Sequence, residues 1–296
     1  MNTELEKQAI QYLKSFEPNA NEEPYYLAYS GGKDSDTILI LAELAGVRYE
    51  AVHNLTTVDA PETVNYVKSN PKVHIDRPAK SMWQLIPKKL IPPTRLWRYC
   101  CDELKERGGM RRKVVTGVRK YESVSRSKST DLVKIIGKPK TTAKEADEIG
   151  ADYWQSKQGG VMLNNDNGES RELVEHCYKS RKVLINPIYD WTDDDVWEFL
   201  KHYGCKSNPL YECGAKRIGC IGCPLASTKA RYSEFDRYPK YKLNYIRAFD
   251  RMLKARKEKG LPVYDNWQSG EDVFRRWMGE DPLQITFEEL MNNDGL

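Results

Sequence analysis

Six consecutive residues, between an apolar stretch typical of a strand and an apolar stretch typical of a helix, carry groups that bind anions. They read S-G-G-K-D-S and run from Ser30 to Ser35. Gly31 and Gly32 allow the backbone to approach a ligand closely, and Lys33 adds a full positive charge. A helix that begins here also presents unpaired N–H groups and a partial positive charge. We therefore predict that this turn holds phosphate, the alternative being a glycine turn that only caps a helix.

The spacing of this turn differs from two common nucleotide-binding motifs, G-x4-G-K-[ST] and G-x-G-x-x-G. It resembles the S-G-G-x-D-S signature of the PP-loop ATP pyrophosphatase superfamily. Members of that superfamily bind ATP or a related adenosine nucleotide, and they usually act at the α-phosphorus and release pyrophosphate. The resemblance implies that phosphate or sulfate is held by Ser30, Gly31, Gly32, Lys33, Asp34 and Ser35.

The segment TTVDAPETVNYV follows the second predicted strand. Its D-x-P-E-T core contains Asp59 and Glu62 and resembles a segment of the phosphoadenosine phosphosulfate (PAPS) reductases. The resemblance implies that both side chains contribute to the nucleotide site, where adenosine would lie against the end of this strand. A helix that begins at Pro61 and has no binding role is the alternative.

The segment TGVRKYESVSRSK follows a later predicted strand. The G-x-R-x-x-E-S-x-x-R element of the same family is matched here by Gly117, Arg119, Glu122, Ser123 and Arg126. Two arginines beyond a strand can clamp phosphate or sulfate with bidentate hydrogen bonds, and a glutamate between them can orient both. A solvated basic loop is the alternative. The resemblance places Gly117 in the nucleotide site, and the residues expected to be catalytic are Lys33, Asp34, Arg119 and Arg126.

A third segment, from INPIYDW to GCIGCP, resembles the reductase-like pattern N-P-I-x-x-W-x-x-x-D-V-W followed by N-P-L-Y and G-C-x-x-C-P. Within it, Asn186, Pro187, Trp191 and Trp197 are expected to be mainly structural. The three aspartates from Asp193 are interpreted as charge at a helix start after Thr192, because acidic residues in a first turn suit the helix dipole. The combined resemblance extends from residue 22 to residue 230.

Seven cysteines suggest metal or redox chemistry. Their odd number, in a chain without a signal-like N-terminus, argues against a disulfide framework. A C-x2-C pair readily presents two thiolates to one metal, and four thiolates suit either zinc or an iron–sulfur cluster. Free buried thiols are the third possibility. The cysteines are Cys100, Cys101, Cys177, Cys205, Cys213, Cys220 and Cys223.

Adenylyl sulfate (APS) reductases carry a tandem C-C and a C-x2-C that bind one [4Fe–4S] cluster. The resemblance implies the same ligands here, namely Cys100, Cys101, Cys220 and Cys223, with zinc as the lesser alternative. Cys213 could replace one of the tandem pair, as in DNA-phosphorothioation enzymes of this superfamily. Cys177 is expected to be an ordinary thiol.

One departure from the reductases concerns their nucleophile. Assimilatory reductases attack the sulfonucleotide with the cysteine of a C-terminal E-C-G-[LI]-H motif. This sequence has no cysteine after Cys223. A direct sulfite-releasing mechanism therefore needs a cysteine supplied in trans or by Cys213.

The elements that must position these residues alternate between short strands and helices. This pattern predicts an α/β fold with a doubly wound, mostly parallel sheet and helices on both faces, and the resemblance implies the adenine nucleotide alpha hydrolase-like version. We expect a nucleotide-binding domain over residues 1–227 and a helical C-terminal region over residues 228–296. Residues 138–182 are polar and are interpreted as an irregular, partly mobile insertion.

Bulk composition excludes some classes of protein. The net charge is +4, from 47 basic and 43 acidic residues, and is too small to indicate nucleic-acid binding by itself. The N-terminal MNTELEKQAI lacks the apolar core of a signal peptide, and no run of 18 apolar residues occurs. We therefore expect a cytoplasmic protein without a membrane span.

Three functions are compatible with these motifs. The leading hypothesis is an enzyme that binds ATP with Mg²⁺, adenylates an acceptor with release of pyrophosphate and then transfers sulfur to it. The acceptor could be a nucleic acid, and a partner protein could donate the sulfur. The second is reduction of a sulfonucleotide, PAPS or APS. The third is a non-catalytic module that binds a nucleotide or, through basic segments and tyrosines, a nucleic acid.

Overall fold

The computed structural model describes residues 2–122, 132–137, 139–155, 160–264 and 266–280. The contacts between these residues divide the chain into two compact units. The first, here the sheet unit, comprises Met1–Leu55, Ala60–Arg77 and Lys105–Gly219. The second, here the helical unit, comprises Thr56–Asp59, Pro78–Leu104 and Cys220–Leu296.

The parallel part of the sheet unit is formed by five strands. In chain order these are β1 (Tyr25–Ala28), β2 (Tyr49–Asn54), β3 (Val73–Asp76), β4 (Lys113–Val115) and, after three further strands, β8 (Lys182–Ile185). Their spatial order is β3-β2-β1-β4-β8, with every neighbouring pair parallel. Chain order reverses beside β1, and this topological switch point is where α/β sheets bind ligands.

Three antiparallel strands extend the sheet beyond β8. They are β5 (Val133–Ile136), β6 (Tyr153–Gln155) and β7 (Val161–Leu163), and they pair in the order β8-β5-β7-β6. Helices lie on both faces, so the predicted doubly wound, mostly parallel α/β fold is confirmed. The helices of the sheet unit are α1 (Thr3–Ser15), α2 (Lys33–Ala45), α3 (Pro61–Ser69), α5 (Pro139–Ile149), α6 (Gly168–Cys177) and α7 (Asp193–His202).

The segment interpreted as an irregular insertion is ordered in its described part. It lies between β4 and β8 in the chain and forms α5, β6, β7 and α6. The expectation of irregular structure was wrong because the apolar residues scattered through this polar segment pack into one core. These buried residues include Ala146, Val161, Leu163, Leu173 and Val174.

Local signals explain the ends of the two helices nearest the candidate site. Gly46, with φ of 67°, ends α2 in the left-handed conformation that glycine adopts freely. Thr192 caps α7 as predicted, since its hydroxyl accepts from Asp195 N–H at 3.2 Å and Asp195 accepts from Thr192 N–H at 2.8 Å.

The helical unit contains α4 (Met82–Lys89), α8 (Thr228–Arg237), α9 (Pro239–Glu258) and α10 (Gly270–Met278). Helix α9 packs against both α4 and α10. Contacts between aromatic rings join them, with the rings of Tyr245 and Trp277 4.8 Å apart. The predicted helical C-terminal region is therefore present, but residues 78–104 pack with it. The boundary predicted after residue 227 stays a prediction about folding domains.

Residues Cys101–Lys105 form a short π-helical turn that contains the second cysteine of the tandem pair. Further along, Gly109 has φ of 75°, and a Cβ there would lie 2.6 Å from Val114 Cγ2, so this position requires glycine. Across the described residues, no helix combines the length and hydropathy that crossing a bilayer requires.

Candidate functional site

The turn between β1 and α2 is held in shape by its own hydroxyls. Ser35 Oγ accepts from Gly32 N–H at 3.1 Å and donates to Gly32 O at 2.7 Å, and Ser30 Oγ lies 3.3 Å from Ser35 Oγ. Gly31 has φ of 76°, and a Cβ at this position would lie 2.9 Å from Val67 Cγ2. Position 31 therefore requires glycine for both conformation and space.

Tyr211 occupies the first backbone donor of α2. Its hydroxyl accepts a hydrogen bond of 2.9 Å from Lys33 N–H, and a Cβ on Gly32 would lie 3.2 Å from the same oxygen. The N–H groups at a helix start are those that an anion uses. A phosphate oxygen that bound to Lys33 N–H would therefore replace the hydroxyl of Tyr211.

Asn208 ties the turn to α3 and has no exposed surface. Its side-chain amide donates to Gly31 O at 3.0 Å and to Thr63 Oγ1 at 3.1 Å, and its Oδ1 accepts from Leu210 N–H at 3.1 Å. Both Asn208 and Tyr211 belong to the N-P-L-Y stretch, to which the sequence analysis assigned no site role. The signal in the sequence that could have indicated a site role was an asparagine that precedes a proline, close to the cysteine segment.

Four charged side chains meet at the start of α2. Arg119 donates from Nε to Asp34 at 2.7 Å and from Nη2 to Asp193 at 2.5 Å. Lys33 Nζ lies 3.5 Å from Asp34 Oδ2 and 3.4 Å from Asp193 Oδ1. Both cations are buried, whereas the side chain of Asp193 is 61 % exposed. The cluster thus pairs two buried cations with two carboxylates, one of which faces solvent.

The electrostatics of this cluster favour the charged forms of Arg119 and Asp193. Burial disfavours the charged form of Arg119, but Asp34 and Asp193 outweigh burial and raise the pKa of the guanidinium. Burial raises the pKa of Asp193, but the adjacent Arg119 and Lys33 lower it by more. Asp193 therefore does more than supply charge at a helix start, which was its sequence-based interpretation.

Gly117 lies against Asp34 of α2 and does not face open space. A Cβ on Gly117 would come within 2.9 Å of both Asp34 Cβ and Asp34 O. Glycine at this position lets the loop after β4 approach α2, which brings Arg119 within reach of Asp34. The structure therefore shows a packing role for Gly117, while its predicted contact with the nucleotide stays a prediction.

A second carboxylate of α2, Asp36, is buried below the turn. It accepts hydrogen bonds from Tyr29 Oη at 2.5 Å and Tyr66 Oη at 3.0 Å. Burial raises the pKa of Asp36 to about 6, against the lowering effect of the two hydroxyls, and Asp34 adds to the rise. Asp36 is a carboxylate that changes charge close to neutral pH.

The other predicted site residues divide between the two units. Glu62 lies in the first turn of α3, in the sheet unit, whereas Asp59 lies in the helical unit. The Asp59 carboxylate accepts from Thr56 N–H at 2.7 Å, and its backbone pairs with Cys220. Glu122 ends a short 3₁₀ turn that begins at Lys120. Arg126 and Ser123 lie outside the described residues.

The four predicted metal ligands all belong to the helical unit. The Cys100 and Cys101 thiols share a hydrogen bond, which together with burial and the nearby Cys220 and Cys223 thiols raises the pKa of Cys100 far above its usual value. Within the described residues, however, no three His, Cys, Asp or Glu side chains are set to hold one metal ion. The four thiols therefore interact electrostatically without forming a preset ligand shell.

The loop that carries the C-x2-C pair is fixed by its surroundings. Cys220 Sγ lies 3.5 Å from Thr56 Oγ1, and Gly222 N–H donates to Glu234 at 2.7 Å. Gly222 has φ of 72°, and a Cβ there would lie 2.5 Å from Phe235 Cζ. Thiols are the residue type that both a [4Fe–4S] cluster and zinc prefer, but the described side chains are not arranged around one metal position.

One buried cation lies beside this thiol group. Arg231 donates to Trp277 O at 3.0 Å and stacks on the Trp277 ring at 3.9 Å. Its Nε and Nη2 have no hydrogen-bond partner among the described residues, and Cys223 interacts with its charge. If the four thiols were deprotonated, the positive charge of Arg231 would compensate part of their negative charge.

The remaining three cysteines belong to the sheet unit. Cys213 is exposed and belongs to the sheet unit, and Cys205 packs against the core of the same unit. Cys177 is a fully buried free thiol, as expected, and accepts from Arg181 at 2.8 Å.

Comparison with known proteins places this geometry in a family. Residues 24–226 match the phosphoadenosine phosphosulfate reductase domain. An uncharacterized protein of Methanocaldococcus jannaschii is 25% identical over 98% of this chain, and this chain spans 61% of that protein. Over 44 residues, 15% of the chain and 17% of the relative, the sequence is 43% identical to an adenosine 5'-phosphosulfate reductase of Allochromatium vinosum.

Among solved structures, this chain is similar to a phosphoadenylyl-sulfate reductase of Candida auris in a phosphate complex. The TM-score is 0.41 and the sequence identity is 16%. The match covers 74% of this chain and 93% of that one. The family match extends over more than half of the chain and includes the S-G-G-K-D-S turn, Arg119, the N-P-L-Y stretch and all four clustered cysteines. The chain belongs to the phosphoadenosine phosphosulfate reductase domain family.

Proposed function

We propose that this protein is a PAPS reductase-like PP-loop enzyme that binds ATP, adenylates an acceptor with release of pyrophosphate, and prepares that acceptor for sulfur transfer. The observation that supports the proposal most is the charge cluster of Lys33, Asp34, Arg119 and Asp193 at the start of α2. It lies beside a glycine turn at the switch point of the sheet, where anions bind in such folds.

In the proposed reaction an acceptor oxygen attacks the α-phosphorus of ATP. The bond from that phosphorus to the oxygen bridging to the β-phosphate breaks, and pyrophosphate leaves with the bonding electrons. A sulfur nucleophile from a donor protein then attacks the adenylated acceptor, a bond to sulfur forms, and AMP leaves. Lys33 and Arg119, with Arg126, would stabilise the negative charge that develops on the pyrophosphate.

The backbone and hydroxyls of the turn would hold the phosphates. Ser30, Gly31, Gly32 and Ser35 present short side chains or none, so that oxygens can approach the N–H groups of α2. Binding there would displace the Tyr211 hydroxyl from Lys33 N–H. Glu62 is proposed to contact the nucleoside and Gly117 to border the site, while the nucleotide contact expected for Asp59 stays a prediction.

Two groups that this chain would hold complete the proposal. Mg²⁺ usually binds through one or two carboxylates plus substrate phosphates, and Asp34 and Asp193 offer such carboxylates. A [4Fe–4S] cluster, or zinc in its place, would be held by Cys100, Cys101, Cys220 and Cys223. When bound, the cluster would supply electron transfer or sulfur handling. Arg231 would offset its negative charge, and Thr56 would lie beside the Cys220 sulfur.

Sulfonucleotide reduction is the second candidate function. The short stretch of 43% identity to an adenosine 5'-phosphosulfate reductase favours it. The same turn and arginines would then hold the nucleotide, but an S–O bond would break instead of a P–O bond, and sulfite would be released. A thiol, from Cys213 or from a partner protein, would have to attack the sulfur and displace the adenosine phosphate, and a second thiol from a reducing partner protein would then release the sulfite and form a disulfide with the first.

The first experiment is to purify the protein without oxygen and incubate it with Mg²⁺ and ATP, with and without DNA or RNA, measuring pyrophosphate and AMP. We expect release that falls by at least about 100-fold in Lys33→Ala, because Lys33 is placed to stabilise the leaving group. The control is Lys254→Ala, which removes a lysine 79% exposed on α9.

Release that is equal in both variants would contradict the role of Lys33. No release under any condition, combined with sulfite formation from PAPS or APS, would replace adenylation by reduction. Nucleotide binding without either product would leave only the non-catalytic module.

A further inference from the structure

The helical unit carries an exposed surface that combines aromatic, apolar and basic side chains. Between α4 and the tandem cysteines, the loop I-P-P-T-R-L-W-R-Y exposes Leu96 at 68% and Trp97 at 44%. The loop borders a cavity of about 330 Å³, here the Trp97 pocket, within the range of small-ligand sites. It is lined by Lys89, Leu96, Trp97, Arg98, Tyr99 and Asp102.

The loop is braced and does not simply project into solvent. Thr94 and Trp97 exchange two hydrogen bonds, of 3.2 and 2.9 Å. Arg95 donates to Pro224 O at 3.0 Å and Leu225 O at 3.3 Å, and the buried Tyr99 donates to Ile91 O at 2.8 Å. An exposed indole on a braced loop loses little conformational entropy when a flat partner stacks on it.

Positive charge is concentrated around this pocket. Lys80, Lys88 and Arg98 are exposed, and none of the three side chains is paired with a carboxylate among the described residues. A contact with Lys80, reinforced by its charge, lowers the pKa of Lys88, and Lys89 adds to this effect. Lysines held this close repel one another, and a bound polyanion would relieve that repulsion.

The carboxylates nearby are too few to neutralise these cations. Glu103 is already paired with Lys89 at 2.7 Å. Asp102 lies in the pocket wall, where it disfavours a uniformly acidic ligand but can accept hydrogen bonds from the amino groups of a base. An acidic peptide would satisfy the lysines and leave both Trp97 and Asp102 without a partner.

We propose that the Trp97 pocket and the lysines beside it bind single-stranded nucleic acid, with one base stacked on Trp97 and backbone phosphates on Lys80, Lys88 and Arg98. Aromatic platforms beside basic grooves bind single strands in this way. A duplex keeps its bases stacked inside and cannot offer one to the indole. This proposal deepens the proposed function by naming the acceptor class, and it rests on that function only for the acceptor role.

The test measures binding without ATP, so that it does not depend on adenylation. Labelled single-stranded DNA and RNA of about 20 nucleotides, longer than one binding site, are titrated with the full chain and followed by fluorescence anisotropy. The titration is repeated between about 50 and 200 mM salt. Duplex DNA and polyglutamate serve as competitors.

We expect Trp97→Ala to weaken binding roughly 5- to 150-fold, the range for loss of one stacked base, and Trp97→Phe to retain most of it. Replacing both Lys80 and Lys88 by alanine should lower the salt slope by about 0.7 for each phosphate that is no longer neutralised. The control, Lys144→Ala with Lys254→Ala, removes two lysines that are each 79% exposed.

Several outcomes would overturn the proposal. The first is the absence of salt-dependent binding, and the second is equal binding by Trp97→Ala and the unchanged protein. The third is competition by polyglutamate that is as strong as competition by single strands, which would indicate an acidic protein partner instead. Circular dichroism of each variant shows that the fold is retained. Binding without pyrophosphate release would support this surface and count against adenylation, whereas release without binding would do the reverse.

Discussion

Asp36 shows how a single buried side chain can make the helix that follows the S-G-G-K-D-S turn depend on pH. Its carboxyl is almost fully buried one turn into α2, between the hydroxyls of Tyr29 and Tyr66. Burial raises its pKa to about 6 from an ordinary value of 3.8. The folded chain therefore binds a proton at Asp36 more tightly than the unfolded chain does.

We predict that the free energy of unfolding contributed by Asp36 decreases as the pH rises from about 4 to about 6, and that the full cost of about 3 kcal/mol applies above that window. In Asp36→Asn the side chain stays neutral at every pH, so this cost does not arise. The free energy of unfolding of the variant, relative to that of the unchanged protein, should therefore rise by up to the same amount between pH 4 and 7. Urea unfolding across this range, with the exposed Asp152→Asn as control, measures it. A stability difference that is independent of pH would show that Asp36 does not titrate there.

At the scale of elements, the turn that joins β1 to α2 is defined by conformation as much as by chemistry. The sequence pattern located the strand, the glycines and the helix, because apolar runs and a glycine turn are local signals. The pattern could not show that Val67 of α3 packs against Gly31, since that contact joins residues 36 positions apart in the sequence.

We predict that Gly31→Ala destabilises the protein by about 2–4 kcal/mol, because it combines a left-handed conformation with a Cβ placed 2.9 Å from Val67. Gly150→Ala is a matched control, since Gly150 also has φ of 76° but a Cβ there would meet nothing within 4 Å. That control should cost only about 1–2 kcal/mol. Equal unfolding free energies for the two variants would rule out crowding at Gly31.

At the scale of the whole molecule, the two compact units separate the cysteines into groups. Cys100, Cys101, Cys220 and Cys223 lie in the helical unit, and Cys213 lies in the sheet unit. The sequence spacing left open whether Cys213 replaces one of the tandem pair. The Cys100 thiol interacts with Cys101, Cys220 and Cys223, and the set without Cys213 is therefore the one that we propose.

We predict that Cys220→Ser and Cys223→Ser remove nearly all bound metal, and that Cys213→Ser leaves the metal content unchanged, because only the first two alter the proposed ligand set. Iron, zinc and acid-labile sulfide per chain, measured after anaerobic purification, provide the readout, and sulfide distinguishes a cluster from zinc. Loss of metal in Cys213→Ser would instead assign Cys213 as a ligand.

The sequence alone determined the family, the alternation of strands and helices, and the turn expected to bind phosphate. These follow from local motifs and from periodicity, which tertiary contacts do not alter. The motifs also contain Lys33, Asp34 and Arg119, which meet at the start of α2 although Arg119 lies 85 positions after Asp34.

Only the tertiary structure decided which distant groups meet. Asp193 was interpreted as helix-start charge, yet it pairs with Arg119, and Tyr211 and Asn208 had no assigned site role. The antiparallel extension of the sheet was not predicted either, because two of its three strands lie in the polar segment that was interpreted as irregular. Such contacts depend on how strands, loops and helix starts converge in space, and a one-dimensional pattern does not record that convergence.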